Sequence, residues 1–203
     1  METRDRILLG AEELFFRFGI KSITMDDVAK HLGISKKTIY LYFNDKDAVV
    51  HQLMQRILEK DERIFSEIHK GAKTIIDEVF VIMKQMHTMF STMNPIVFYD
   101  MQKYHPKTWK LFKDFKTNFI LKMVEKGLHK GIKDGYVRKD IEPKILARLR
   151  MEEIEMGFNQ SVFPADKFKI IDVHLAMAEH FLYGICTLKG HKLINKRKRM
   201  VEE

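Results

Sequence analysis

Between Thr24 and Phe43 two helix signals flank a single glycine, and few folds accommodate that arrangement. Thr24 offers the hydroxyl of an N-cap, and Asp27, three residues on, offers the carboxylate that completes a capping box, so a helix is expected from Met25. Val28, Ala29 and Leu32 recur at helical spacing, and Gly33 permits the φ > 0 turn that ends the helix. Ile34 has an apolar side chain to pin the turn, and Ser35 is a strong N-cap for a second helix over Lys36–Tyr42. Ile39 and Phe43, four apart, face inward. Lys36, Lys37, Thr38, Tyr40 and Tyr42 fall on the remaining surface, where cations and hydroxyls suit phosphate oxygens and base edges. The pattern is that of a helix-turn-helix, as against a plain helical hairpin with solvated lysines.

The first 47 residues resemble the DNA-binding domain of the tetracycline-repressor (TetR) family of bacterial regulators. The resemblance is carried by Ile7, Leu8, Ala11, Leu14, Phe15 and Gly19, then Thr24, Val28, Ala29 and Gly33, then the run Ser35 to Phe43 and Lys46. It implies that Lys36, Lys37, Thr38 and Tyr40 enter a major groove while Thr24, Ser35, Tyr42 and Lys46 hold phosphates. Lys46 also stands at an expected helix N-terminus, where backbone N–H groups favour an anion. Leu41 is placed either to touch a thymine methyl or to pack locally. The chain departs from the family pattern at Lys37, where glycine is common, so an operator sequence does not transfer from a relative. Beyond this quarter of the chain the likeness is architectural.

Composition bounds the rest. A chain of 203 residues, 45% hydrophobic and 32% charged with only 4 prolines, has material for one or two globular domains. Cys186 is the single cysteine, which rules out an internal disulfide and suits a reducing cytosol. No apolar run approaches the roughly 20 residues that span a bilayer, and the first residues lack a signal peptide's apolar stretch, so a soluble, cytoplasmic protein is expected with no membrane partner. Net charge is +8, yet residues 1–47 hold eight basic and eight acidic side chains and are neutral as a segment. Placement therefore argues better than the total, since Lys30, Lys36, Lys37 and Lys46 surround the second helix of the motif.

Nearly every segment reads as helix and none as strand, so the fold class is all-α with about nine helices. The expected helices run over Thr3–Phe18, the two of the motif, a long one capped by Asn44, Lys73–Met93, a short one opened by Pro95, Pro106–Lys130, one from Pro143 to about Val162, and one from about Asp166 to Leu188, stopped by Gly190. The expected division is a helix-turn-helix domain over 1–47, a helical effector-binding and dimerisation domain over 48–190, and a basic, frayed tail over 191–203.

Met86, Phe90, Met93, Tyr99, Tyr104, Trp109, Phe112, Met123, Met151 and Phe158 are spaced either to form plain core or to line a cavity for an apolar or amphipathic ligand. The family resemblance implies the cavity, with an effector inside it. Ala178, Phe181, Leu182 and Ile185 form an apolar stripe that serves either the subunit's own core or a partner, and the resemblance implies a homodimer interface. Nine histidines include no pair at metal-ligating spacing, and nucleophile-elbow, phosphate-loop and dinucleotide patterns are absent, so neither metal, cofactor nor catalysis is expected. The reading is of a transcriptional repressor released from a pseudo-palindromic operator by a small molecule. The alternative is a related coregulator or architectural protein that acts through protein contacts without a small ligand.

Overall fold

The computed structural model describes residues 2–91 and 93–202, with side chains as far as residue 199; Met1 and Glu203, the outer ends of the expected first domain and tail, lie outside the described residues. Helices dominate: α1 (Thr3–Phe18), α2 (Met25–Leu32), α3 (Lys36–Tyr40), α4 (Lys46–Gly71), α5 (Ile75–Phe90), α6 (Ile96–Tyr104), α7 (Pro106–Phe115), α8 (Leu121–Lys133), α9 (Pro143–Gly157), α10 (Ile170–Ile185) and α11 (Leu188–Glu202). A π-helical turn, Lys116–Ile120, makes α7 and α8 one continuous helical run. There is no strand among the described residues, only one bridge between Val137 and Cys186. The all-α expectation holds.

Two compact units emerge. One comprises Met1–Asp61 and Phe90–Asp114, the other Glu62–Met89 and Phe115–Glu203. The division falls within α4 and groups α6 and most of α7 with the first three helices.

In the first unit, Ile7, Leu8, Ala11, Phe15, Val28, Ile39 and Phe43 are buried, as their helical spacing requires. Asp45, not Asn44, caps α4, its carboxylate accepting the N–H of Ala48 at 2.7 Å. In the second unit a core forms from Ile75 and Ile76 of α5, Leu128 of α8, Ala147 of α9, Phe181, Leu182 and Ile185 of α10, and Ile194 of α11.

Three expected helix ends move for local reasons. α9 stops at Gly157 because Asn159 turns the chain, its side chain accepting from the Ser161 N–H at 2.9 Å. α10 begins only at Ile170, after a turn in which the N–H groups of Lys167 and Phe168 reach back to the Pro164 carbonyl. Gly190 does not stop a helix. It lies inside α11, whose first turn is capped by Thr187, the hydroxyl accepting from Gly190 N–H at 3.3 Å. The segment expected to fray from residue 191 is helical to residue 202.

Candidate nucleic-acid interface and ligand-binding residues

The capping box forms as the spacing demands. The Thr24 hydroxyl accepts from Asp27 N–H at 3.2 Å, and the Asp27 carboxylate accepts from Thr24 N–H at 2.8 Å and from its hydroxyl at 2.6 Å. Those two donations hold the Asp27 carboxyl below its usual range. The one donor on the Thr24 side chain is thus engaged by Asp27.

α2 ends in a Schellman turn, with Ile34 N–H bonded to Ala29 O at 3.0 Å and Gly33 N–H to Lys30 O at 3.2 Å. Gly33 has φ 65° and ψ 31°, a left-handed conformation that a side chain would strain although the space around it is open. Ser35 then caps α3, its hydroxyl accepting from Thr38 N–H at 3.0 Å and pairing with the Thr38 hydroxyl at 2.8 Å.

From this frame α3, which ends at Tyr40 rather than Tyr42, and the turn after it project an open face. Ile39 and Phe43 are sealed at 0% and 2% exposure, while Lys36, Lys37, Tyr40, Leu41 and Tyr42 are exposed and Thr38 is half-buried. Leu41, at 74%, is on the surface rather than packed. The Lys36 ammonium donates to Asp26 at 2.7 Å, which raises its pKa above the ordinary lysine range. Both partners are exposed, and such a pair is worth little in water, so it exchanges readily for a nucleic-acid acceptor.

Lys46 departs from its expected role. Its ammonium donates to the carbonyls of Ile20 and Ile23, 2.5 Å each, and lies 5.7 Å from the centre of the Phe15 ring. Burial lowers its pKa, opposed by the carboxylates of Asp100, Asp47 and Asp27. This lysine closes the loop before α2 and is not offered to a phosphate. The same loop is tied by Asp100 of α6, whose carboxylate accepts Lys21 N–H at 2.8 Å. Gly19, at φ 88°, admits this approach; a Cβ there would sit 2.7 Å from Ile96 and 3.1 Å from the Asp100 carboxylate. The Phe16 carbonyl accepts Asn94 N–H at 2.7 Å. Asp100 was not legible as a site residue, because nothing in its local spacing points 79 residues back along the chain.

The candidate ligand residues divide between the two units. In the first, Phe90, Phe98, Phe112 and Trp109 form a chain of ring contacts with centroids 6.3, 5.8 and 5.1 Å apart. Phe90 and Met93 are buried, Trp109 and Phe112 half-buried. Tyr99 is corrected: α6 buries Val97, Phe98 and Met101, which turns Tyr99 outward, where it accepts a hydrogen bond from Lys103 at 2.9 Å. Tyr104 is half-buried beneath Lys21 and Lys103, whose ammonium groups lie 4.9 and 5.4 Å from its ring centre. In the second unit Met123, Met151 and Phe158 are buried and Met86 half-buried, and Phe158 lies 4.5 Å from the His174 ring. That unit contains a groove of about 1180 Å³, and none of the ten expected residues lines it.

The expected dimer stripe is also corrected. Ala178, Phe181, Leu182 and Ile185 are 3%, 8%, 1% and 2% exposed, and the last three belong to the core of their own unit. Among the apolar residues left open, Ile145, Leu149 and Met156 lie together on α9 at positions that share one helix face.

Residues 7–53 match the family described as bacterial regulatory proteins, tetR family. The chain is 33% identical over 63 residues to the HTH-type transcriptional repressor BepR of Brucella suis, covering 31% of this chain and 30% of that protein. It is 26% identical over 89 residues to an uncharacterized HTH-type transcriptional regulator, YvaF, of Bacillus subtilis, covering 43% and 47%. The matches thus span less than half the length of these relatives. A solved TetR-family regulator from Agrobacterium tumefaciens shares the fold over 91% of this chain and 97% of its own, with a TM-score of 0.73 at 16% identity.

Proposed function

We propose, from the match of residues 7–53 to the tetR family of bacterial regulatory proteins, that the chain is a DNA-binding transcriptional regulator, a repressor acting in the cytoplasm and not an enzyme. One observation carries the reading: Lys36, Lys37 and Tyr40 of α3 and Tyr42 of the turn after it stand open, while Ile39 and Phe43 beneath them are fully buried. A helix so mounted presents donors to base edges without disturbing its own packing. Thr38 and Ser35 add hydroxyls beside them. Residues 1–47 act as the DNA-binding domain, 48–190 as the effector-binding and dimerisation domain, and the helical tail from 191 adds basic charge.

The protein acts as a homodimer, each α3 in one major groove, with half-sites about 34–36 Å apart or a multiple of that. α9 supplies the dimer face through Ile145, Leu149 and Met156, whose exposure would otherwise leave an uncovered apolar stripe. A small apolar or amphipathic effector, bound in the helical domain, alters the spacing of the two recognition helices and releases the operator. A coupling of about 1–3 kcal/mol is enough for such a switch.

Recovery of genomic fragments bound by the pure protein tests the reading. The recovered fragments are expected to share a two-fold-related sequence, and Tyr40→Ala is expected to relax that sequence at one position of each half-site. Recovery of unrelated sequences, unchanged by Tyr40→Ala, would overturn it.

A further inference from the structure

Within the second compact unit, residues of α4, α5, α10 and α11 line a half-open groove with a volume of about 1180 Å³. Its wall is apolar where Phe80, Leu175, Leu182 and Ile194 meet it, and Leu182 and Ile194 belong to the rigid core beneath. Along α5 the lining runs from Asp77 to Thr88, about 16 Å at 1.5 Å per residue. The groove is therefore long and apolar, and large enough for a flexible aliphatic molecule.

Its charge is one-sided. Four cations, Lys73, Lys84, Arg197 and Lys198, share the lining with two carboxylates, Asp77 and Glu179. Both carboxylates are engaged: Arg197 pairs with Asp77 at 2.6 Å and Lys198 with Glu179 at 2.5 Å. Lys73 and Lys84 are exposed and make no ion pair among the described residues. Near Lys73 an anion would also meet Asp77, four residues on. Lys84 instead shares its helix face with His87, three residues on, and no carboxylate of α5 follows it.

We infer that this groove binds a single-chain anionic amphiphile, its alkyl chain against Phe80, Leu182 and Ile194 and its head group at the Lys84–His87 end. Binding itself does not depend on the regulatory reading; only its use as the effector signal rests on that reading.

Isothermal titration of the full chain with dodecanoate, dodecyltrimethylammonium and dodecanol, all below micelle formation, tests the inference. Dodecanoate is expected to bind, and the cationic and neutral analogues more weakly by roughly tenfold or more, the scale of one well-placed charge contact. Lys84→Glu is expected to cost dodecanoate at least about tenfold by exchanging attraction for repulsion. Val81→Gln places a longer, neutral polar side chain at a groove residue already 48% exposed, so the fold tolerates it while the apolar channel is obstructed and binding is weakened. Equal binding of all three amphiphiles, or dodecanoate affinity unchanged in both variants with intact circular dichroism, overturns the inference. A second arm measures operator affinity with dodecanoate saturating. If the groove binds and the operator affinity does not move, the site stands and the effector reading fails for this ligand.

Discussion

The carboxylate of Asp100 in α6 accepts the backbone N–H of Lys21 at 2.8 Å, although 79 residues separate the two. Asp100 is 3% exposed, and Lys46 holds the other side of the same loop through the carbonyls of Ile20 and Ile23. The entry to the helix-turn-helix is thus fixed by a carboxylate on one side and an ammonium on the other. Both act on backbone groups, so they set the loop's path whatever its side chains.

Asp100→Ala removes the acceptor from a part-buried N–H and is expected to destabilise the protein by about 0.5–1.5 kcal/mol, measured by chemical denaturation. Asp100→Asn retains an acceptor oxygen and is expected to fall between Asp100→Ala and the parent. Equal stability of all three would mean that water replaces the contact at no cost.

Lys46→Met is expected to lower stability while moving the salt dependence of DNA binding by much less than the roughly 0.9 in log–log slope that each lost phosphate contact removes. A full unit of change per subunit would show that Lys46 leaves its carbonyls for a phosphate on binding.

Lys36→Ala and Tyr40→Ala are expected to relax base preference, each costing about 1–3 kcal/mol at one base pair of the half-site and little at the others. Binding to a panel of single-substitution operators measures this. A uniform loss across the panel assigns both side chains to the phosphates instead.

His174 is 1% exposed, and burial, aided by the nearby Arg150 charge, lowers its pKa to about 4 from 6.5. Because the folded value lies below the unfolded one, the unfolded chain binds the extra proton first. Stability is therefore full above about pH 6.5 and falls as pH drops towards 4, by as much as about 3 kcal/mol for this group. Denaturation midpoints across that window, compared with those of His174→Gln, are expected to differ in slope. Parallel slopes would mean that the imidazole does not titrate with unfolding.

Leu149→Glu and Leu182→Ala are expected to separate association from folding. Leu149 is 50% exposed, so a charge there is tolerated by the subunit but opposes burial against a second copy, and sedimentation is expected to show monomer. Leu182 is 1% exposed in the core of its unit, so truncation is expected to cost about 2–5 kcal/mol of folding stability. A Leu149→Glu protein that remains dimeric removes α9 from the interface.

Much of the motif was legible because its signals are short-range. Thr24 with Asp27, Gly33, and Ser35 with Thr38 act within three residues of one another, so spacing alone announces their hydrogen bonds. The same holds for the burial of Ile39 and Phe43. Thr187 shows how a local signal can still be outvoted. Gly190 reads as a helix stop, yet a Thr187 cap one turn earlier, held by its hydroxyl's donation to Gly135 O at 2.8 Å, starts a helix through it.

Periodicity identifies an apolar face but not what covers it. The stripe of Ala178, Phe181, Leu182 and Ile185 suits a core and a partner equally, because both bury apolar area at the same free-energy gain. The subunit's own core took it, and α9 kept Ile145, Leu149 and Met156 in the open. Tyr99 was likewise indistinguishable from its buried neighbours until α6 had a defined inner side.

Alone, the chain's order of residues determined the all-α class, the helix-turn-helix and the outward chemistry of α3, since caps, turns and helical period depend on neighbours within about one turn. The tertiary structure decided that Lys46 serves carbonyls rather than phosphates, that Asp100 ties down the loop before α2, and which apolar stripe stays uncovered. Those outcomes depend on groups brought together from distant parts of the chain, where the competition for each donor, acceptor and apolar face is settled only once the helices pack.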